Sequence, residues 1–210
     1  MSQATTLDPG AGAVTVVGRR TPMVLSVARC LREGLARGVT AAPGNEARTV
    51  CLASTTDSQR AHVTLSGSDL LVTADAPAEA EITWNVRWSN PVPTEDGPDG
   101  FAKDVQQLLA GRDVDWRSAA EGFWKRVNAA PGIPAGLGVV CADDGTAIGL
   151  GDAQPDGHTV LGTSAALARF FEGRSTLVEE LEGGEFAIDV SFPVFSALFG
   201  ANLKVVCGEL

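Results

Sequence analysis

The chain has 210 residues, of which 44% are hydrophobic and 20% are charged, and its formal net charge is −10. This composition is typical of a globular protein with enough apolar residues for one large core or two small ones. The negative charge disfavours nucleic acids and anionic membrane surfaces as partners, and no apolar run is long enough to span a bilayer.

The cysteines and the first residues bear on the cellular compartment. Cys30, Cys51, Cys141 and Cys207 are widely spaced and form no C-x-x-C pair, which disfavours a zinc site and a disulfide framework. The first residues lack the basic stretch and apolar segment that mark a secretory signal. We therefore expect a cytoplasmic protein with reduced thiols and no integral membrane association.

The first half is predicted to contain a helix followed by strands. Residues 1–20 are predicted to be a flexible tail, although AVTVV at 13–17 would also suit an edge strand. Thr21 and Pro22 predict the start of a helix, and Gly38 predicts its end. The strands that follow are predicted at 48–53, 61–65, 70–74 and 81–88.

The last of these strands is the most regular, because apolar and polar residues alternate along it. Such alternation is typical of a sheet with one buried face. Residues 89–100, with three Pro and two Gly, form the strongest break in the chain, and a short helix is predicted from Phe101 to a stop at Gly111. The buried face of the strand consists of Ile82, Trp84, Val86 and Trp88.

The second half is predicted to alternate helices and short strands. Asp115 is placed as a helix N-cap, and a hairpin is predicted between 137–142 and 146–150, joined by Asp143-Asp144-Gly145. A further strand is predicted at 158–161. The predicted domains are the tail 1–20, a first half 21–112 and a second domain 113–210.

Residues 158–199 carry six of the eight Phe residues and the clearest helix signals. Thr163 predicts one helix, which Gly173 ends, and the pair Thr176 and Glu179 forms the capping-box pattern of a second.

A strand is then predicted from Phe186 to Phe192, because Phe186, Ile188, Val190 and Phe192 alternate with small or polar residues. Pro193 predicts a final helix that ends at Gly200, and residues 203–207 are predicted to form one more strand.

No catalytic signature is present. The sequence has no H-E-x-x-H, G-x-S-x-G or phosphate-binding loop, and the glycines of Gly136-Leu137-Gly138 and Gly149-Leu150-Gly151 are interpreted as turn glycines. His62 and His158 lie in predicted strands without a nucleophile motif nearby. A Cys–His dyad assembled in space, with Cys51 or Cys141, stays open. We predict no catalytic residue, no metal and no cofactor.

The second half resembles a known family. The stretch AAEGFWKRVNAAPGIPAGLGVVCADDGTAIGLG, followed by HTVLGTSAALARFFEGRSTLVEELEGGEFAIDVSFPVFSALF, resembles the sterol carrier protein type 2 domain. The shared pattern is a strand pair, a strand entering a short helix that ends in Gly-Arg, a second short helix, a Gly-led strand and an apolar helix. The first half matches more loosely, as a diverged second copy, and LLAGR at 108–112 parallels FFEGR at 170–174.

The resemblance implies an α+β fold in two related halves, in which a curved, mostly antiparallel sheet is covered by short helices around an apolar tunnel. It implies binding or transfer of a hydrophobic small molecule, such as a fatty acyl lipid or a sterol. The apparent duplication leaves one pocket, two pockets or none open. Arg174 or Arg87 would meet a headgroup. The implied tunnel wall consists of Trp84, Val86, Trp88, Phe170, Phe171, Phe186, Ile188, Phe192, Phe195 and Phe199.

Two other hypotheses compete with a non-enzymatic carrier. An enzyme acting on a hydrophobic molecule in the same cavity would need a polar pair facing inward, for example at Asp189 or His158. An interaction module would have a filled core and a large exposed apolar patch.

Overall fold

The computed structural model describes residues 12–41, 47–76, 79–98, 100–112, 114–154 and 157–210. Most of the predicted tail and most of the loop at 41–47 therefore lie outside the described residues. The chain divides after Gly111 into two compact units, called here the first and the second unit. Each contains a mixed sheet and helices, so the predicted α+β class is confirmed. Within the described ranges, no helix is both long and apolar enough to cross a membrane.

The first unit is a five-stranded sheet with two helices. Its strand order is β1-β4-β3-β2-β5, in which β2–β3 and β3–β4 are antiparallel and β1–β4 and β2–β5 are parallel. The elements are β1 (Val14–Val17), α1 (Pro22–Ala36), β2 (Arg48–Ser54), β3 (Arg60–Ser66), β4 (Asp69–Thr73), β5 (Ile82–Val86) and α2 (Phe101–Leu109).

Local signals explain most of these elements. The Thr21 hydroxyl accepts a hydrogen bond from the Val24 amide at 3.3 Å, so the predicted N-cap of α1 is confirmed. The sequence left open whether residues 14–17 form an edge strand, and in the structure they do. They pair with β4, and Val14 and Val16 pack against the core. The segment after β5 stays with the first unit, since the Ser89 carbonyl accepts a hydrogen bond from Ser26 at 3.2 Å.

The second unit is a four-stranded sheet with four helices. Its strand order is β7-β6-β8-β9, in which β6–β7 and β8–β9 are antiparallel and β6–β8 is parallel. The elements are α3 (Trp116–Val127), β6 (Gly136–Cys141), β7 (Ala147–Gly151), β8 (Thr159–Gly162), α4 (Ser164–Phe171), α5 (Leu177–Gly183), β9 (Phe186–Asp189) and α6 (Phe192–Val206).

The predicted helix caps of the second unit are all present. The Asp115 carboxylate accepts from two backbone amides at the start of α3, and Thr163 caps α4. Thr176 and Glu179 form the complete capping box at the start of α5. These short polar motifs fix where the helices begin, independently of the packing behind them.

Two predictions at the carboxyl end are wrong. The strand predicted from Phe186 to Phe192 ends at Asp189, because Ser191 takes the extended N-cap conformation and Pro193 lies in the first helical turn. The helix predicted to stop at Gly200 continues to Val206, so residues 203–207 form no strand. Gly200 lacks the positive φ of a helix-ending glycine.

The buried amide of Asn202 joins α6 to the connection between α4 and α5. Its side-chain oxygen accepts from the Leu177 amide at 3.0 Å, and its nitrogen donates to the carbonyls of Phe170 at 3.2 Å and Ser175 at 3.1 Å. The residue is fully buried. A buried polar group without a partner costs about 1–3 kcal/mol. The Asn202 side chain bonds the Leu177 amide and the Ser175 carbonyl, and it is a second partner of the Phe170 carbonyl, which also accepts from the Gly173 amide.

We expect Asn202→Ala to lower the free energy of unfolding by about 2–4 kcal/mol, because it removes buried hydrogen bonds to the Leu177 amide and the Ser175 carbonyl and a second bond to the Phe170 carbonyl. The matched control is Asn128→Ala, which truncates an exposed asparagine and is expected to change stability by no more than about 0.5 kcal/mol. Urea unfolding followed by circular dichroism measures both. Equal effects of the two substitutions would contradict the anchoring role of Asn202.

Candidate functional site

The first half of α6 exposes apolar side chains. Phe192 is 80% exposed, and its ring stacks on that of Phe195 with centroids 6.3 Å apart and planes 16° from parallel. Val194, Phe195 and Phe199 are half-buried and pack against the core of the unit. We call Phe192, Val194, Phe195 and Phe199 the α6 apolar surface. A mostly exposed Phe beside three half-buried apolar side chains forms a patch open to a partner or ligand.

Two other segments extend this surface. Ile188 of β9 and Val190, which follows it, are half-buried and pack against the same core. The loop before β6 lies against the middle of α6, where a Cβ at Gly132 would be 3.0 Å from that of Ala197. This loop belongs to a stretch, residues 128–141, without a charged side chain. The loop that contacts α6 at Ala197 therefore has no charged side chain of its own.

Three predicted tunnel residues lie in a packed aromatic cluster instead of at the surface. Phe170 and Phe171 are fully buried and Phe186 is 6% exposed. Phe170 contacts Phe171 at 4.9 Å, Phe186 at 5.0 Å and Phe123 at 5.6 Å between ring centroids. At these distances the rings fill the space between them. Of the predicted wall of the second unit, Ile188, Phe192, Phe195 and Phe199 alone reach the surface.

The predicted wall residues of the first unit occupy that unit's own core. Trp84 and Val86 are 1% and 3% exposed, and Trp88, which lies beyond the end of β5, is half-buried. All three pack in the hydrophobic cluster between the first sheet and its helices. They are therefore part of a core separate from that of the second unit.

The arginines near α6 are engaged by carboxylates or buried. Arg169 forms a two-pronged ion pair with the buried Glu180, both distances being 2.9 Å, and also contacts Glu185 at 3.1 Å. Arg174, predicted to meet a headgroup, is 7% exposed. The other predicted headgroup contact, Arg87, is exposed and belongs to the first unit. The Arg169 side chain is thus partly exposed but paired with two carboxylates, whereas Arg174 is buried.

The structure brings together one of the two Cys–His pairs that the sequence left open. Cys51 and His62 are cross-strand partners in β2 and β3, with Sγ and Nε2 3.9 Å apart. Burial raises the pKa of the Cys51 thiol and, with the charge of Arg60, lowers the pKa of His62. Both groups are therefore neutral near pH 7. A nucleophilic Cys–His pair needs the opposite shifts, a thiolate beside an imidazolium, so this pair is not an activated nucleophile.

The glycines interpreted as turn residues lie within strands. Gly136 and Gly138 belong to β6 and Gly149 to β7. A Cβ at Gly136 would be 2.2 Å from the Ala153 nitrogen, so glycine is required there for the chain after β7 to cross the open face of the sheet. Beside this crossing lies a shallow depression of about 320 Å³, lined by Gly, Ala, Val and Ile residues of β6 and β7, by Ala153 and Gln154, and by Thr159.

The polar residues considered for an enzyme are not assembled into a site. Asp189 is exposed, and His158 is half-buried. Among the described residues, no group of three or more His, Cys, Asp or Glu side chains is arranged to hold a metal ion.

Comparison with known proteins gives no relative. Neither a protein-family model, nor a curated protein, nor a solved structure matches the chain.

We expect the His62 imidazole to make stability depend on pH. Because its folded-state pKa is below the ordinary value of about 6.5, the unfolded chain takes up the proton first as the pH falls. The contribution of His62 to the free energy of unfolding should be constant above about pH 7 and fall below pH 6.5 by up to about 1.4 kcal/mol per pH unit.

Urea unfolding of the wild type, His62→Gln and His158→Gln at pH 7.5 and 5.5 tests this expectation. The decrease between the two pH values should shrink in His62→Gln and persist in His158→Gln, which changes the half-buried histidine. A decrease that is the same in all three proteins would show that His62 is not its source.

Proposed function

We propose that the second unit binds a hydrophobic small molecule, such as a fatty acyl lipid or a sterol, without catalysing a reaction on it. The observation that carries the proposal is the exposure of Phe192, 80%, stacked on Phe195 within the α6 apolar surface. Of the fifteen residues of α6, Lys204 alone is charged. The helix therefore presents more apolar surface than its own unit covers, and an apolar ligand would cover it.

The energetics suit such a ligand. Each methylene removed from water contributes about 0.8 kcal/mol, and micromolar affinity needs about 8 kcal/mol. About ten methylenes of an acyl chain, or the rings of a sterol, reach this value before the cost of ordering the ligand is subtracted. No salt bridge is required. Val194, Phe195 and Phe199 are half-buried, whereas Phe170 and Phe171 are fully buried, which favours α6 as the part of the unit that would contact a ligand.

The order of elements in the second unit supports the likeness to sterol carrier domains that we propose. A helix, a hairpin, a strand parallel to the first hairpin strand, two short helices, a strand and an apolar helix follow one another from α3 to α6. The first unit has a similar order, since α1 precedes the β2–β3 hairpin, β5 is parallel to β2, and α2 follows. It also contains β1, before α1, and β4, between β3 and β5, which have no counterpart in the second unit. We interpret the two units as degenerate copies, of which the second alone has the apolar last helix.

A catalytic role for the same surface has less support. The hypothesis needed Asp189 or His158 to face inward; Asp189 is exposed and His158 is half-buried. The Cys51–His62 pair belongs to the first unit and consists of two neutral groups. The proposed activity is accordingly binding or transfer, and the groups named here supply no acid, base or nucleophile for chemistry at α6.

The exposed Phe192 also favours a second candidate, an interaction module that covers the same surface with a partner protein. The packed rings of Phe123, Phe170 and Phe171 are consistent with it, because a filled core needs no tunnel. The two candidates differ in whether the isolated chain takes up a small apolar molecule.

We expect Phe192→Asp to weaken binding of the uncharged fluorescent probe N-phenyl-1-naphthylamine by at least about tenfold, because it replaces apolar contact area by a charge. The fold should be retained, since Phe192 is exposed and an acidic residue suits the first turn of a helix. Fluorescence titration measures the affinity, and urea unfolding checks the stability.

The matched control is Leu161→Asp, which removes another exposed apolar side chain of the second unit, 41% exposed, from strand β8. It should leave probe affinity within about twofold of the wild type. Equal losses in the two variants would mean that the probe does not bind at α6. No binding by the wild type would favour the interaction module.

A further inference from the structure

The three Phe residues of the α6 apolar surface lie along one side of the helix. Phe192, Phe195 and Phe199 are spaced i, i+3 and i+7, so they follow one another over about 10 Å of α6. The rings of Phe192 and Phe195 are 16° from parallel, with centroids 6.3 Å apart, and Phe192 is 80% exposed. A flat ligand can therefore take one orientation that is parallel to both rings.

The core behind these residues is already filled. Phe195 and Phe199 pack against the cluster that contains Phe170, Phe171 and Phe186. In that cluster the ring centroids of Phe170 and Phe171 are 4.9 Å apart and those of Phe170 and Phe186 are 5.0 Å apart. A ligand that covers the α6 apolar surface therefore lies on the outside of this core, with one side against the protein and the other in water.

Coverage on one side makes the flexibility of the ligand decisive. A methylene that is fully removed from water strengthens binding about fourfold, so a methylene covered on one side strengthens it about twofold. Fixing the torsion angles of a flexible chain weakens binding by about twofold per carbon. The two effects cancel for an alkyl chain. Fused rings have no such torsion angles to fix, so they keep the whole gain.

The size of the Phe patch favours a small molecule over a second copy of the chain. About 10 Å of a helix that is about 10 Å wide offers on the order of 100 Å². A stable protein interface needs about 800 Å² on each partner. The three Phe side chains alone are therefore too small a surface for self-association, but they can cover one face of a small molecule.

We infer that the ligand of the α6 apolar surface is a rigid molecule of fused rings that lies flat on the outside of the unit, and that flexible acyl chains are disfavoured there. This inference rests on the proposed function, because it narrows the hydrophobic small molecule to one of the two classes named there. It departs from the enclosed tunnel that the resemblance implied, since Phe170, Phe171 and Phe186 pack against one another.

Two pairs of uncharged alcohols test the inference: hexan-1-ol with cyclohexanol, and decan-1-ol with decahydro-2-naphthol. The members of each pair have the same number of carbons. Each alcohol is used below its solubility limit to displace N-phenyl-1-naphthylamine from the full-length protein, and the initial slope of displacement gives its relative affinity. From six to ten carbons we expect the affinity to rise about sixteenfold for the rings and less than about threefold for the chains.

Phe192→Ala should reduce the rise for the rings to below about fivefold, because it removes the exposed ring on which the ligand lies. The matched control is Leu161→Ala, which truncates the exposed apolar side chain of β8 and should leave the rise unchanged. Both side chains are exposed, so both variants should fold, and urea unfolding checks this.

A rise for the chains as large as that for the rings overturns the inference and leaves the proposed function intact. An enclosed site gives this result, because there a chain gains about fourfold and loses about twofold per methylene. Failure of the probe to bind the wild type overturns the proposed function itself. A wild type that sediments as a dimer, with Phe192→Asp a monomer, assigns the surface to a second copy of the chain and overturns both.

Discussion

The side chain of Asn202 is the interaction on which the arrangement of the second unit's last helix depends. It bonds to three backbone groups of the connection between α4 and α5, and it is fully buried. The carboxyl half of α6 is thereby fixed, together with the buried Val205 and Val206. The amino half of the same helix continues beyond this anchor with Phe192 exposed, which is the feature that the proposed binding function explains.

The local elements of the fold were largely predictable from the sequence. Helix starts were found because Thr21, Asp115, Thr163 and Thr176 carry oxygens that cap backbone amides, a signal contained within four residues. The end of α6 was not found, because Gly200 is a common stop signal and no local signal shows that Asn202 has buried partners elsewhere in the chain. The helix continues through Gly200 to these tertiary hydrogen bonds of Asn202 and on to Val206.

The candidate site was predictable in part, since the Phe-rich segment was identified but its exposure was not. Phe186 and Phe192 occupy equivalent places in an alternating pattern, yet the former is 6% exposed and the latter 80%. The difference arises because β9 ends between them and Ser191 turns the chain into a helix. The Cys51–His62 contact depended likewise on the register of β2 and β3, which strand patterns alone do not specify.

The central claim is that the second unit takes up a small apolar molecule, and native mass spectrometry of the freshly purified protein tests it most directly. The account predicts an added mass at up to one equivalent, extractable into organic solvent and identifiable as a hydrophobic small molecule such as a fatty acyl lipid or a sterol. This mass should be lost in Phe192→Asp and retained in Leu161→Asp. A chain that carries no added mass and also binds no uncharged lipid or sterol supplied to it would contradict the account.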